Sequence, residues 1–214
     1  MHMPFSITPS QPRRHLLGAG LVVLAVSLGL LLSACGATSQ SSAPTSPTRA
    51  LTPYLARAGE ETGFSISGAP TLDSAASFAT GDPNAKAEAT RLRTEGFRAA
   101  LIEHTSTAAG NGGVSFVLQL ESHAAALSEE QSQLNEDITE NSPATRITRA
   151  QVPTSEGFTA KGSSVVVANL LFVEGRCILL VGDEVNAGSD PSPPVLAGAL
   201  KIYDRTKSSG GVCG

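Results

Sequence analysis

The sequence predicts an α+β domain, in which about three helices pack mainly on one face of an antiparallel sheet. Three observations predict it. Residues 114–121 alternate between apolar and polar side chains, residues 165–173 are apolar on both faces, and helix-start signals follow two pairs of strand-like segments. The chain therefore divides into two halves, each of which runs from a hairpin to a helix.

The first half opens with a short predicted strand, GFSISG at residues 63–68, followed by a stretch that is ambiguous between helix and strand. A helix is then predicted, because Asp82 can cap it, Pro83 suits its first turn and Gly96 suits its end. The segment FRAALIEHT is predicted to form a strand, and AAGNGG the turn after it.

The clearest strand is VSFVLQLE, residues 114–121, because its apolar side chains fall on one face. Ser122 can cap the next helix, HAAALSEEQSQLNED, whose acidic side chains are expected on a solvated face. Glu129 and Glu130 do not suggest an acid/base pair, since adjacent residues on a helix point apart.

The second half repeats this order. TRITRAQV predicts one strand, and SSVVVANLLFV and RCILLVGDEV predict two more around a tight turn at Glu174 and Gly175. A strand that is apolar on both faces belongs in the centre of a sheet, covered on each side. The last predicted helix is VLAGALKIYDR, with Pro193 or Pro194 in its first turn.

The N-terminal region predicts three segments. Residues 1–34 have the order of an export signal: Arg13 and Arg14, then an uncharged apolar run, then small residues. A membrane-spanning helix is the alternative, because the apolar run is nearly long enough to cross a bilayer. Residues 35–52, rich in Ser, Thr, Ala and Pro, are predicted as a disordered tether, and residues 53–214 as one globular domain.

The segment Leu32-Ser33-Ala34-Cys35 resembles the lipobox of bacterial lipoproteins, which has a Leu three residues before the Cys and small residues between them. The resemblance implies that the signal is removed and that Cys35 becomes a lipidated first residue carrying a diacylglyceryl group and a palmitate. Two acyl chains give stable anchoring, whereas one does not. The expected location is the extracytoplasmic face of the cell membrane.

Arg13 and Arg14, followed one residue later by leucines, also resemble the twin-arginine export motif. That route would export a domain that has already folded. An ordinary secretory signal with a paired arginine is the alternative, and the sequence leaves both routes open.

Two cysteines remain after lipidation, Cys177 and Cys213. Outside the cytoplasm an even pair predicts a disulfide, which would hold the C-terminal tail against the domain. Two isolated cysteines do not suggest a zinc site, because structural zinc sites use four ligands at short paired spacings.

Composition argues against nucleic acid as a partner. The chain has a net charge of −4, and all 19 acidic residues follow the predicted signal, whereas Arg13 and Arg14 lie within it. Phosphate binding needs clustered Lys and Arg, and stacking platforms are scarce because the chain has no Trp and two Tyr.

The sequence contains none of the nucleophile-elbow, zinc-protease, P-loop or C-x-x-C motifs. No cofactor and no catalytic residue are predicted. One candidate constellation is His104, Glu121 and His123, which strand parity places on one face if Leu101 shares the core face with Phe116. A zinc or pH-sensitive site there is weighed against a solvated sheet face, which the pattern favours, so no metal is predicted.

The arrangement of halves is similar to small, uncharacterised envelope lipoproteins of actinobacteria and distantly to PsbP-type domains. We expect a non-catalytic binding or interaction module whose ligand is an envelope protein, a wall component or a lipid. A sensor or accessory subunit of a membrane complex is the first alternative. A small envelope hydrolase is the second, and would need His104 or His123 beside a serine and a carboxylate.

Overall fold

The computed structural model describes residues 46–81, 84–108, 110–208 and 210–214. Several predictions from the sequence lie outside these residues. They are the export signal at 1–34 with its paired arginines, the lipidated Cys35, most of the tether, and the roles of Asp82 and Pro83 at the start of a helix.

Eight strands form one antiparallel sheet, with the order β1-β3-β4-β8-β7-β6-β5 and with β2 paired beside β1 on β3. The α+β class is therefore confirmed. The strands are β1 Ser65–Ile66, β2 Thr71–Asp73, β3 Ala99–Ser106, β4 Gly112–Gln119, β5 Ala144–Ile147, β6 Glu156–Lys161, β7 Val165–Glu174 and β8 Cys177–Asn186.

The helices cover both faces of this sheet. They are α1 Pro47–Leu51, α2 Ala75–Phe78, α3 Ala85–Thr94, α4 His123–Glu140 and α5 Ser192–Thr206, with 3-10 turns at Thr52–Tyr54 and Ala79–Gly81. Helices α1 and α5 lie on one side, which we term the α5 face, and α2, α3 and α4 lie on the other, the α4 face. The sequence predicted helices mainly on one face, but β7 and β8 are buried on both sides and need cover on each.

Two separate cores result. The α5-face core is built around Leu101, Val117 and Phe172 with Ile202 of α5, and the α4-face core around Leu118, Phe158 and Leu171 with Leu134 of α4. Side chains from alternate positions of each central strand therefore enter opposite cores, as the period of a strand requires.

Several local predictions are confirmed. The apolar side chains Val114, Phe116 and Leu118 share the α4 face. The hydroxyl of Ser122 accepts a hydrogen bond from the Ala125 N–H at the start of α4. Prolines stand in the first turn of α5, and Gly175 takes the left-handed conformation, φ 56°, in the β7–β8 turn.

Other local predictions are corrected. Strand β6 was not predicted. Leu101 does not share a face with Phe116, because Leu101 packs with its pairing partner Val117 in the α5-face core and Phe116 packs in the α4-face core. Ordered structure also begins earlier than the predicted boundary at residue 53, because Pro47–Leu51 is helical and Leu51 is buried in the α5-face core. Within the described part of the chain, no helix is long and apolar enough to span a membrane.

The predicted disulfide is present: Cys177 and Cys213 are bonded, with their Cα atoms 5.2 Å apart. Hydrogen bonds also attach the tail to the sheet, since the Val212 carbonyl accepts from the side chains of Gln119 and Arg176. The C-terminal tail is therefore held across the start of β8.

Candidate functional site

A groove lies on the α4 face between helices α3 and α4, and we term it the α3–α4 groove. Its volume is about 260 Å³. Its apolar part comes from five residues on α2 and the turn after it, β4 and β8, namely Phe78, Ala79, Val114, Phe116 and Leu180. Phe78 and Phe116 contact each other edge to face, with ring centroids 5.4 Å apart, which fixes one wall.

The polar part of the groove is acidic. Glu88 of α3 and Glu136 and Asp137 of α4 line it, together with the amides of Gln133 and Asn169. Among the described residues that line the groove, none carries a positive charge. An apolar body with a few convergent polar groups is the usual composition of a small-ligand site.

Asp137 is the most perturbed group in the groove. Burial, helped by the nearby carboxylates Glu140 and Glu136 and opposed by a hydrogen bond with Asn169, raises the pKa of its carboxyl to about 6. Each of these repulsions would weaken if a cation entered the groove.

Asn169 reaches the groove because residue 182 is a glycine. Asn169 of β7 lies directly opposite Gly182 of β8, and its side-chain oxygen occupies the space that a Cβ at position 182 would take. A larger residue at 182 would therefore displace Asn169 from the floor of the groove.

An ion-pair cluster joins α3 to α4 beside the groove. Arg91 pairs with Glu88 and Glu95 on its own helix and with Glu129 on α4. Glu129 is fully buried and also accepts from Gln133, whereas Arg91 is about one-third exposed. The cluster holds the two helices together and offsets much of the charge of Glu88.

Burial of Glu129 corrects the sequence prediction. Glu129 and Glu130 were expected on a solvated helix face, but they are 0% and 1% exposed. The ion pair with Arg91 offsets the cost of burying the charge of Glu129. Glu130 lies near Glu156 of β6, and no salt bridge to it is found among the described residues.

A second polar site lies within the α5 face, and we term it the carboxyl cluster. It consists of Glu61 from the loop before β1, Asp183 of β8, and Thr105 and Glu103 of β3. All four are at most 8% exposed. In the described part of the chain, no group outside the cluster hydrogen-bonds the carboxyl oxygens of Glu61 or Asp183.

Two glycines make room for the carboxyl cluster. A Cβ at Gly113 would clash with Asp183 Oδ1 and Thr105 Oγ1, and a Cβ at Gly198 would lie 2.9 Å from Cγ of Glu61. Glu61 therefore lies under α5 at Gly198, while Asp183 and Thr105 meet over Gly113.

The two buried carboxyls resist ionisation. Burial, with contributions from Asp183 and Glu103, raises the pKa of Glu61 to about 8, and burial raises the pKa of Asp183 to about 7. The two groups interact, so they titrate as a pair, and the doubly ionised state is disfavoured near neutral pH.

The structure does not bring together the candidate metal ligands His104, Glu121 and His123. His104 pairs with Val114 near the β3–β4 turn, whereas Glu121 follows β4 at its other end, a separation of roughly 20 Å along the strand. His123 Nδ1 instead donates to the Gly175 carbonyl, at 2.5 Å. The described residues contain no group of three His, Cys, Asp or Glu side chains that could hold a metal ion.

No protein-family model matches this chain, and no curated protein matches it.

Sequence reasoning did not find either site. The groove combines residues from six helices and strands that no local pattern connects. The sequence contains one sign of the carboxyl cluster. Asp183 is a carboxylate that directly follows the uncharged residues 177–182 within β8. A charge inside a central strand indicates a buried polar site.

Proposed function

We propose that this protein is a lipid-anchored binding module on the extracytoplasmic face of the cell membrane, and that its ligand occupies the α3–α4 groove. The observation that carries the proposal is that one groove combines aromatic and aliphatic side chains with acidic ones. The ligand is expected to combine an apolar body with a cationic group.

The size of the groove limits the ligand. A volume of about 260 Å³ is slightly below the roughly 300 to 1,000 Å³ typical of ligand pockets. A small amine, or one cationic side chain of a larger envelope partner, fits this volume. Its apolar part would contact Phe116 and Leu180 while its charge faced Asp137 and Glu136.

The lipobox at Leu32–Cys35 supports the membrane anchor, and the Ser- and Pro-rich residues after it support a spacer between the lipid and the domain. In this proposal the groove operates beside the membrane in the cell envelope. Native mass spectrometry of the protein extracted from its own membrane would test whether it carries the lipid and retains a ligand.

The groove itself can be tested by an NMR titration with octylamine. We expect octylamine to shift the resonances of residues around Phe116 and Asp137, and octanoate, with the same alkyl chain and the opposite charge, to leave them unshifted. The variant Asp137→Asn should bind octylamine more weakly, whereas the exposed control Asp204→Asn should bind it as the wild type does. Equal shifts with both compounds, or none with either, would contradict the proposed ligand chemistry.

A sensor role within a membrane complex is the second candidate, and the buried carboxyl cluster is the observation that favours it. A pair of carboxyls that changes its protonation near neutral pH can report the acidity of the envelope. Co-purification of a membrane protein with the full-length chain would support this role.

A further inference from the structure

We propose that Glu61 and Asp183 form a pH-operated latch, which holds residues 57–66 against the sheet while one carboxyl is protonated and releases them when both are ionised. This inference goes beyond ligand binding in the α3–α4 groove, because it concerns the opposite face of the sheet. It identifies the movable part of the domain and the signal that moves it.

The latch connects a loop to the centre of the sheet. Glu61 lies in a segment of turns between Ala56 and β1, yet it is 2% exposed, and its side chain reaches under α5 to Asp183 and Thr105. With one proton on the pair, one carboxyl donates a hydrogen bond to the other. With none, two carboxylates face each other in an apolar environment, which strongly disfavours the closed arrangement.

The surrounding charges do not relieve this repulsion. The charged groups that act on Glu61 are Asp183 and Glu103, and both are negative. Helix α5 presents a glycine, Gly198, to Glu61. Helix α5 also carries Arg205, which pairs with Glu60 of this loop and donates to the carbonyls of Pro53 and Leu55, so its charge is already matched by Glu60.

Apart from this pair, the ion pair of Glu60 with Arg205 and a few apolar contacts hold the latched segment. Phe64 packs with Val166 and Val185 in a small cluster separate from the two main cores, and β1 contributes only two residues to the edge of the sheet. Gly59 and Gly63 both take the left-handed conformation, with φ of 82° and 88°, in the turns of this segment. By contrast, the preceding helical turn around Leu51 and Leu55 belongs to the α5-face core.

Release would therefore be local. The segment from Arg57 to Ile66 would detach, whereas the turn around Leu55 would stay in place. Detachment uncovers the apolar side chains of Val166 and Val185 and frees the end of β3 that pairs with β1. Segments with few buried apolar contacts are those that open below the free energy of global unfolding.

The latch is tested by following the segment and its two carboxyls across pH. In the wild type, carboxyl carbon NMR should show Glu61 and Asp183 titrating near neutral pH. Amide protection factors of residues 60–66 should fall between pH 6 and pH 9. The expected fall is about tenfold for each unit by which burial raises the pKa of the carboxyls above the value they have in the released segment. Protection in α4 and in β7 should stay constant over the same range.

Two neutral variants separate a latch from a general effect of pH. Glu61→Gln and Asp183→Asn each leave a donor beside one carboxylate, so both should keep the segment protected up to pH 9. Glu121→Gln, a matched change at an exposed glutamate, should behave as the wild type does. A fluorescence reporter, Phe64→Trp, gives a second readout because the chain has no other tryptophan.

Three results would overturn the latch. One is a wild-type segment that stays protected while both carboxyls ionise. Another is a pH transition that persists unchanged in Glu61→Gln and Asp183→Asn. The third is recovery of the closed segment at pH 9 on addition of Ca²⁺ or Mg²⁺, which would make the cluster a cation site.

Discussion

Replacing Glu130 by glutamine should stabilise the protein at alkaline pH and leave its stability at acidic pH unchanged. Glu130 is 1% exposed on α4, and its Oε1 has no hydrogen-bond partner in the described part of the chain. Burial, together with repulsion from Glu156, raises the pKa of this carboxyl from 4.5 to about 7. Ionisation of Glu130 within the fold is therefore unfavourable.

The magnitude follows from this pKa. Since one pKa unit corresponds to about 1.4 kcal/mol, ionising Glu130 in the folded state costs about 3 kcal/mol more than in the unfolded chain. The pKa of Glu130 is higher in the folded state than in the unfolded chain. The stabilisation that protonated Glu130 gives to the fold is therefore complete below pH 4.5 and is lost as pH rises through 7. A gain of up to about 3 kcal/mol is expected for Glu130→Gln at pH 8.5, and almost none at pH 4.5.

Urea unfolding followed by circular dichroism at both pH values measures this difference, with the disulfide intact. Glu140→Gln is the matched control, because Glu140 lies on the same helix and is exposed. An equal gain for Glu130→Gln at both pH values, or no gain at pH 8.5, would refute the reasoning, since it would show that the free energy of ionising Glu130 does not differ between the folded and unfolded states.

Three further predictions concern stability. Cys213→Ser opens the disulfide and should lower the free energy of unfolding by about 3 kcal/mol in a non-reducing urea titration; an unchanged midpoint would contradict this. Arg91→Met leaves Glu129 buried without this cation and should lower the free energy of unfolding by about 3 kcal/mol. Adding Glu129→Gln to the same chain should restore most of this loss, and thermal unfolding of the single and double variants measures both effects. Gly113→Ala pushes a methyl group into the carboxyl cluster and should cost about 1 to 3 kcal/mol by the same assay, whereas Gly112→Ala meets no atom within 4 Å and should be nearly neutral. Equal losses for the two glycines would argue against close packing at Gly113.

Much of the fold was predictable because local patterns were strong where the strands are long. Alternation in β4 was sufficient to assign its faces, and the Ser122 cap was sufficient to begin α4. The apolar character of residues 165–173 on both faces predicted their central position, although the helices were predicted mainly on one face of the sheet. Strand β6 was missed because EGFTAK is short and has few apolar residues.

The register and the buried acids were not predictable from local sequence. The register of β3 against β4 is not determined by the pattern of either strand alone, and a shift by one residue reverses which side chains share a face. Glu129 was interpreted as solvated because nothing in its own helix shows that Arg91 approaches from α3. Glu61 lies in a loop, where neither periodicity nor spacing distinguishes a buried carboxyl from an exposed one.

The attachment of the N-terminal turn to α5 has a mechanical consequence. Arg205 donates to the carbonyls of Pro53 and Leu55, at 2.9 and 2.6 Å, and Leu51 and Leu55 are seated in the α5-face core. A pull on the chain at residue 46 would load this clamp and, through α5, the two central strands, before it reached the edge strand β1. A pulling force on the N-terminus would therefore act first on the α5-face core.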